Sequence, residues 1–172
     1  EVVWMRLLVN VFGATTLAVT TVLAAFMAGL ALGSVVGGRL ADRISRPLQA
    51  YGVVEVLVAI TALAVPLGLR VFDPLYRVIY ASGETSFFTL SLVRFAVSFT
   101  VLLVPTTCMG ATLPLLSRFA VSRSEAVGGR IGALYAVNTS GAVLGTFLAG
   151  FVLIATLGVQ GSIMVAAAVS LG

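Results

Sequence analysis

The sequence contains no histidine, no lysine and a single cysteine, and each absence removes a class of chemistry. Without histidine, and with Cys108 alone in an apolar stretch, there is no ligand set for zinc or haem and no intrachain disulfide, so the redox compartment is unreadable. No catalytic residue, cofactor-binding residue or metal ligand is singled out by any motif. Charge is almost as scarce. Only 9% of residues are charged, where a soluble domain of this size uses roughly a quarter of its residues to cover its surface. Instead, 60% of residues are hydrophobic and mean hydropathy is +1.16, a composition that calls for the lipid bilayer as solvent. The net charge of +4 comes entirely from arginines, spaced singly between apolar runs. That arrangement suits anionic headgroups and argues against nucleic acid.

A helix crossing the hydrocarbon core needs about 20 apolar residues at 1.5 Å rise each. On that measure residues 1–172 form one transmembrane domain, all α, of about six helices. Residues 1–13 read as the outer part of a span whose beginning is missing. Further spans are expected at 15–38, 47–69, 86–117, 131–157 and 160–172, the last cut short. The 86–117 span, at about 48 Å, exceeds the membrane core and must tilt or kink, with Pro105 and Pro114 as the kink points.

Arginine asymmetry sets the orientation. The loops 39–46 and 118–130 each carry three arginines against one acidic residue, whereas 70–85 is neutral. By the positive-inside rule both basic loops are cytoplasmic, and because they lie an even number of spans apart one topology satisfies both. In the outer loop, Asp73-Pro74 reads as a helix start and Gly83 as a stop. A short interfacial helix over about 74–82 is expected there, an irregular loop being the alternative.

Small residues indicate how the helices pack. The second span carries Gly29, Gly33 and Gly37 at intervals of four, and the fifth carries Gly141 and Gly145. Such faces let backbones approach closely where lipid supplies no hydrophobic drive for association, which makes both spans interface helices. The stretches Val22–Gly29 and Val143–Gly150 also resemble each other locally. They would cross the membrane in opposite directions, as in a three-plus-three inverted repeat, although apolar helices built from few residue types also match by chance.

The loop Gly38-Arg-Leu-Ala-Asp42-Arg43-Ile-Ser-Arg46 resembles the major facilitator signature Gly-x-x-x-Asp-Arg/Lys-x-Gly-Arg/Lys-Arg/Lys, departing from it at Ser45 and Pro47. Four wider stretches add specificity: Glu1-Val-Val-Trp4-x-Arg6-Leu, Thr21 to Ser34, Met109-Gly-Ala-Thr-Leu-Pro114-Leu-Leu, and Leu134-Tyr-Ala-Val-Asn138-Thr-x-Gly141-Ala. Together they look like the membrane region of bacterial proteins that fuse a facilitator-like bundle to a spermidine-synthase-like domain. The resemblance implies one half of a facilitator fold in the bacterial cytoplasmic membrane. It also implies that any aminopropyltransferase activity, with its decarboxylated S-adenosylmethionine, belongs to a further cytoplasmic domain. No Gly-rich strand-to-helix turn followed by an acidic residue occurs within these 172 residues. Within the loop, Asp42 is expected to cap the third span and pair with Arg43, while Gly38 leaves room for a neighbouring helix.

Ionisable residues at membrane depth are the remaining functional candidates, because each must be paired or face a cavity. Glu1 and Arg6 lie in the first span, Glu55 in the third and Arg94 in the fourth, with Tyr135 and Asn138 in the fifth. A facilitator-like half would turn the first and fourth spans toward a central cavity. Glu1, Arg6, Arg94, Thr106 and Thr107 would then form a polar pocket, the hydroxyls bonding carbonyls freed by Pro105. One reading is a site for a polyamine or other small charged metabolite held by Glu1 and Glu55. The other is structural ion pairing, since buried arginines repel a polycation. Three functions follow: the anchor and feeder of a synthase domain; an accessory subunit or homo-oligomer packed through its glycine-rich helices; or a half-size transporter acting as a dimer.

Overall fold

The computed structural model describes residues 2–13, 15–70, 74, 78, 86–121 and 127–171, and every element among them is helical. The helices are α1 (Val2–Phe12), α2 (Thr15–Ala41), α3 (Pro47–Leu69), α4 (Phe87–Val121) and α5 (Val127–Leu148). A π-helical turn (Ala149–Leu153) then leads into α6 (Ile154–Leu171). Four stretches have the length and apolarity to cross a membrane: Thr16–Ala41, Pro47–Leu69, Phe87–Ala120 and Gly128–Ser170. The chain is a multi-pass helical membrane protein. At 11 residues, α1 spans only about 16 Å.

The stretch Gly128–Ser170 is too long to be one straight crossing. Its 43 residues would extend about 64 Å, against a core of about 30 Å. Gly158 interrupts it with φ 68° and ψ −176°, a backbone conformation open in practice only to glycine. Ala142 and Ser170 would stand about 42 Å apart on a straight helix, yet they line one cavity. The chain therefore folds back at Gly158, inside the break expected between 157 and 160. Helical structure also runs further than expected at the basic loops, through Ala41 and Val121. The helix backbone need not stop where the apolar run does, because arginines such as Arg39 and Arg118 are good helix formers. Of the expected 74–82 helix only Pro74 and Val78 are described, both exposed; Asp73, Tyr76, Tyr80 and Gly83 lie outside the described residues.

The core sits where α1 meets α2, α3 and α4. Trp4, Leu8 and Phe12, at the i, i+4, i+8 spacing of one helical face, are buried on α1. They pack with Val22 and Ala25 of α2, Val65 and Leu69 of α3, and Leu102 of α4. The Trp4 and Phe26 rings lie 5.5 Å apart, within the range of favourable aromatic pairs.

The tightest packing is the seam between α2 and α4. A Cβ placed on Gly33 would lie 2.8 Å from the Gly110 Cα, and one on Gly37 would lie 2.7 Å from the Ala111 Cα. Gly29 abuts Thr106, and a Cβ on Gly110 would sit 2.5 Å from the Leu30 carbonyl oxygen. Residue numbers rise together along both helices, so α2 and α4 run parallel. Their C-terminal ends, bearing Arg39 and Arg118, therefore lie at the same end of the bundle.

Candidate functional site

The residues expected to form a polar pocket are dispersed. Glu1 lies outside the described residues. Arg6 is exposed on α1, opposite the buried Trp4–Leu8–Phe12 face. Arg94 is half-buried and donates from a guanidinium nitrogen to the Phe12 carbonyl oxygen at 3.3 Å, fastening α4 to the end of α1. There the chain leaves the helix through Gly13, whose φ of +68° and N–H to the Val9 carbonyl at 2.9 Å mark a glycine C-terminal stop. Thr106 lies twelve residues further along α4, about 18 Å away, so the two do not share a site.

The threonine pair serves the seam. Thr106 is fully buried, with its hydroxyl 2.8 Å from the Leu102 carbonyl and 3.2 Å from that of Ala25 on α2. The Thr107 hydroxyl donates to the Leu103 carbonyl at 2.7 Å. Proline 105 deprives the Val101 carbonyl of its usual partner, so these hydroxyls bond neighbouring carbonyls rather than that one. Ser34 of α2 adds a bond to the Gly110 carbonyl at 3.2 Å. Side chains thus carry hydrogen bonds across the seam in both directions. On the same helix, Ser98 Oγ is buried with no hydrogen-bond partner among the described residues.

Glu55 is half-buried on α3, with Tyr51 one turn before it on the same helix. Tyr135 and Asn138 are exposed on α5. In the loop, Asp42, Arg43 and Arg46 are exposed, and Asp42 does not cap α3. Arg46 occupies the N-cap without a side-chain cap bond, and Pro47 takes the first helical turn, where its missing N–H costs nothing. A Cβ on Gly38 would meet nothing within 4 Å, and the same holds at Gly141 and Gly145.

What the helices do enclose is an apolar cavity of about 350 Å³. One wall is bulky, with Trp4 of α1, Phe26 of α2 and Met109 of α4. Two stripes of mostly small residues, one on each arm either side of Gly158, line it as well. Ala142, Gly145, Thr146 and Ala149 line it from α5 and the π turn; Ile163, Ala166, Ala167 and Ser170 line it from α6. Both sets share the spacing i, i+3, i+4, i+7 that defines one helical face. That spacing was visible in the sequence, but only the fold-back at Gly158 brings the two faces to one cavity. Among the expected residues that are described, Gly145 borders the cavity. Glu55 shares a face of α3 with Ala59 and Ala62, which line it, but sits a turn outside.

No family model, curated protein or solved structure matches this chain.

Proposed function

We propose that this chain is the membrane-embedded, facilitator-like half-bundle of a spermidine-synthase-like fusion protein, holding a polyamine aminopropyltransferase domain at the cytoplasmic face of a bacterial inner membrane. The observation that carries the reading is the parallel seam of α2 and α4, which brings the arginine-bearing turns at 39–46 and 118–121 to one end. A single basic end is what the positive-inside rule asks of a cytoplasmic face, and it is where a cytoplasmic domain would attach. The fold-back at Gly158 divides the last long apolar stretch into two arms, which is compatible with the six segments this reading requires. The proposed role is anchoring and positioning. A polycation passing through an apolar cavity that no described charged side chain lines would be stripped of water without compensation. Reading the gene past the Gly172 codon tests the proposal: an open frame encoding a nucleotide-binding α/β domain supports it, and an in-frame stop overturns it.

A second reading, an accessory subunit or homo-oligomer, is favoured by one observation. Gly38 and Gly141 present small surfaces that no described helix of this chain covers. Cross-linking of cysteines placed at Gly38 or Gly141 to a second chain in native membranes would support it, and their failure to cross-link would remove it.

A further inference from the structure

We infer that the cavity between α1 and the hairpin of α5 and α6 is a binding site for a single hydrocarbon chain, an acyl or isoprenoid tail drawn from the bilayer. The inference does not depend on whether a synthase domain follows. Its volume of about 350 Å³ falls at the lower end of the roughly 300–1,000 Å³ typical of small-molecule sites. Among the described residues no charged side chain lines it, and its side-chain hydroxyls belong to Thr146 and Ser170. A helical serine or threonine hydroxyl can bond the carbonyl one turn back, as Thr156 does to that of Val152, so two hydroxyls do not by themselves call for a polar ligand.

The space is a real gap rather than a close contact between small residues. A Cβ on Gly145 would find no atom within 4 Å, whereas the glycines of the α2–α4 seam abut backbone. Left unfilled, such a gap deprives its lining of dispersion contacts, and inside a bilayer no hydrophobic drive presses the helices together to close it. The surrounding solvent supplies the filler. No described side chain of α5 is buried, so the helix bordering the cavity is exposed along its length to whatever surrounds the bundle. In a membrane, that is lipid tails. The aromatic and thioether groups of Trp4, Phe26 and Met109 provide a wall of high polarisability for a chain to lie against.

The test uses the whole chain in nanodiscs containing phosphatidylcholine with a diazirine on its acyl chain, irradiated and mapped by mass spectrometry. Adducts are expected on the cavity wall at Met109 and Ala166, as well as on the outward-facing Val137 and Phe151. Filling the cavity with Ala166→Leu, or independently with Gly145→Leu, should cut the wall adducts by about tenfold, equivalent to roughly 1.4 kcal/mol of lost binding, and leave those at Val137 and Phe151 unchanged. Equal wall labelling in the native chain and both variants would overturn the proposal. So would modification of Gly145→Cys, in a Cys108→Ala background, by a water-soluble thiol reagent, which would show an aqueous cavity. Cross-linking of that cysteine between two chains would likewise overturn it, by giving the space to a protein neighbour.

Discussion

Helices α2 and α5 carry nearly the same small-residue spacing and meet opposite fates. Along α2, Gly29, Gly33 and Gly37 press against the backbone and side chains of α4, with hydroxyl bonds from Thr106 and Ser34 crossing the seam. Along α5, Gly141 and Gly145 face open space and no described side chain is buried. Spacing of four defines a smooth helical face; it does not name what lies against that face. A partner must present matching small residues at the same depth, as Gly110 and Ala111 do for α2.

The sharpest way to break this contrast is to enlarge one glycine on each helix. Gly33→Leu should destabilise the bundle by about 3 kcal/mol or more, since the atoms its side chain would meet are α4 backbone that cannot swing aside. Gly141→Leu should move stability by less than about 0.5 kcal/mol. Denaturant titration in mixed micelles measures both, and a large loss at Gly141 would show that α5 has a partner in solution. Next in size is Thr106→Val, which keeps the shape but removes the buried hydroxyl. A loss of about 1 kcal/mol is expected by the same titration, in line with interhelical side-chain bonds elsewhere. Arg94→Gln should cost about 1 kcal/mol by weakening the bond to the Phe12 carbonyl. Its effect should be local, appearing as faster amide exchange in the last turn of α1 while α2 and α4 keep their protection. The smallest change runs the other way. Ser98→Ala removes an orphaned hydroxyl and should raise the unfolding midpoint slightly, by up to about 1 kcal/mol in stability.

Much of the scaffold was legible in the sequence because it depends on patterns local to one segment. The third span was expected at 47–69 and α3 occupies Pro47–Leu69; the glycines of the second span make close contacts, and the last long stretch breaks at Gly158. Apolar run length and glycine spacing are one-dimensional signals, so they survive reading without a fold. The candidate pocket did not assemble because ion pairs and cavities are properties of several helices at once. Arg94 found a backbone carbonyl, an acceptor that every residue carries and no sequence pattern reveals. The cavity depends on two short stripes of mostly small residues, ordinary within a membrane helix until the fold-back brings both to one space.

The parallel run of α2 and α4 has an electrostatic consequence. Each helix carries the equivalent of about half a negative charge at its C-terminal end, from carbonyls with no partner further on. Two parallel helices in contact place those ends side by side, where they repel across a short distance. Arg39 stands in the last turn of α2 and Arg118 in the last turn of α4, each positioned to neutralise the dipole of its own helix. The arginines that mark one end of this bundle as basic thus also offset the mutual repulsion that the tightest seam in the molecule would otherwise create at that end.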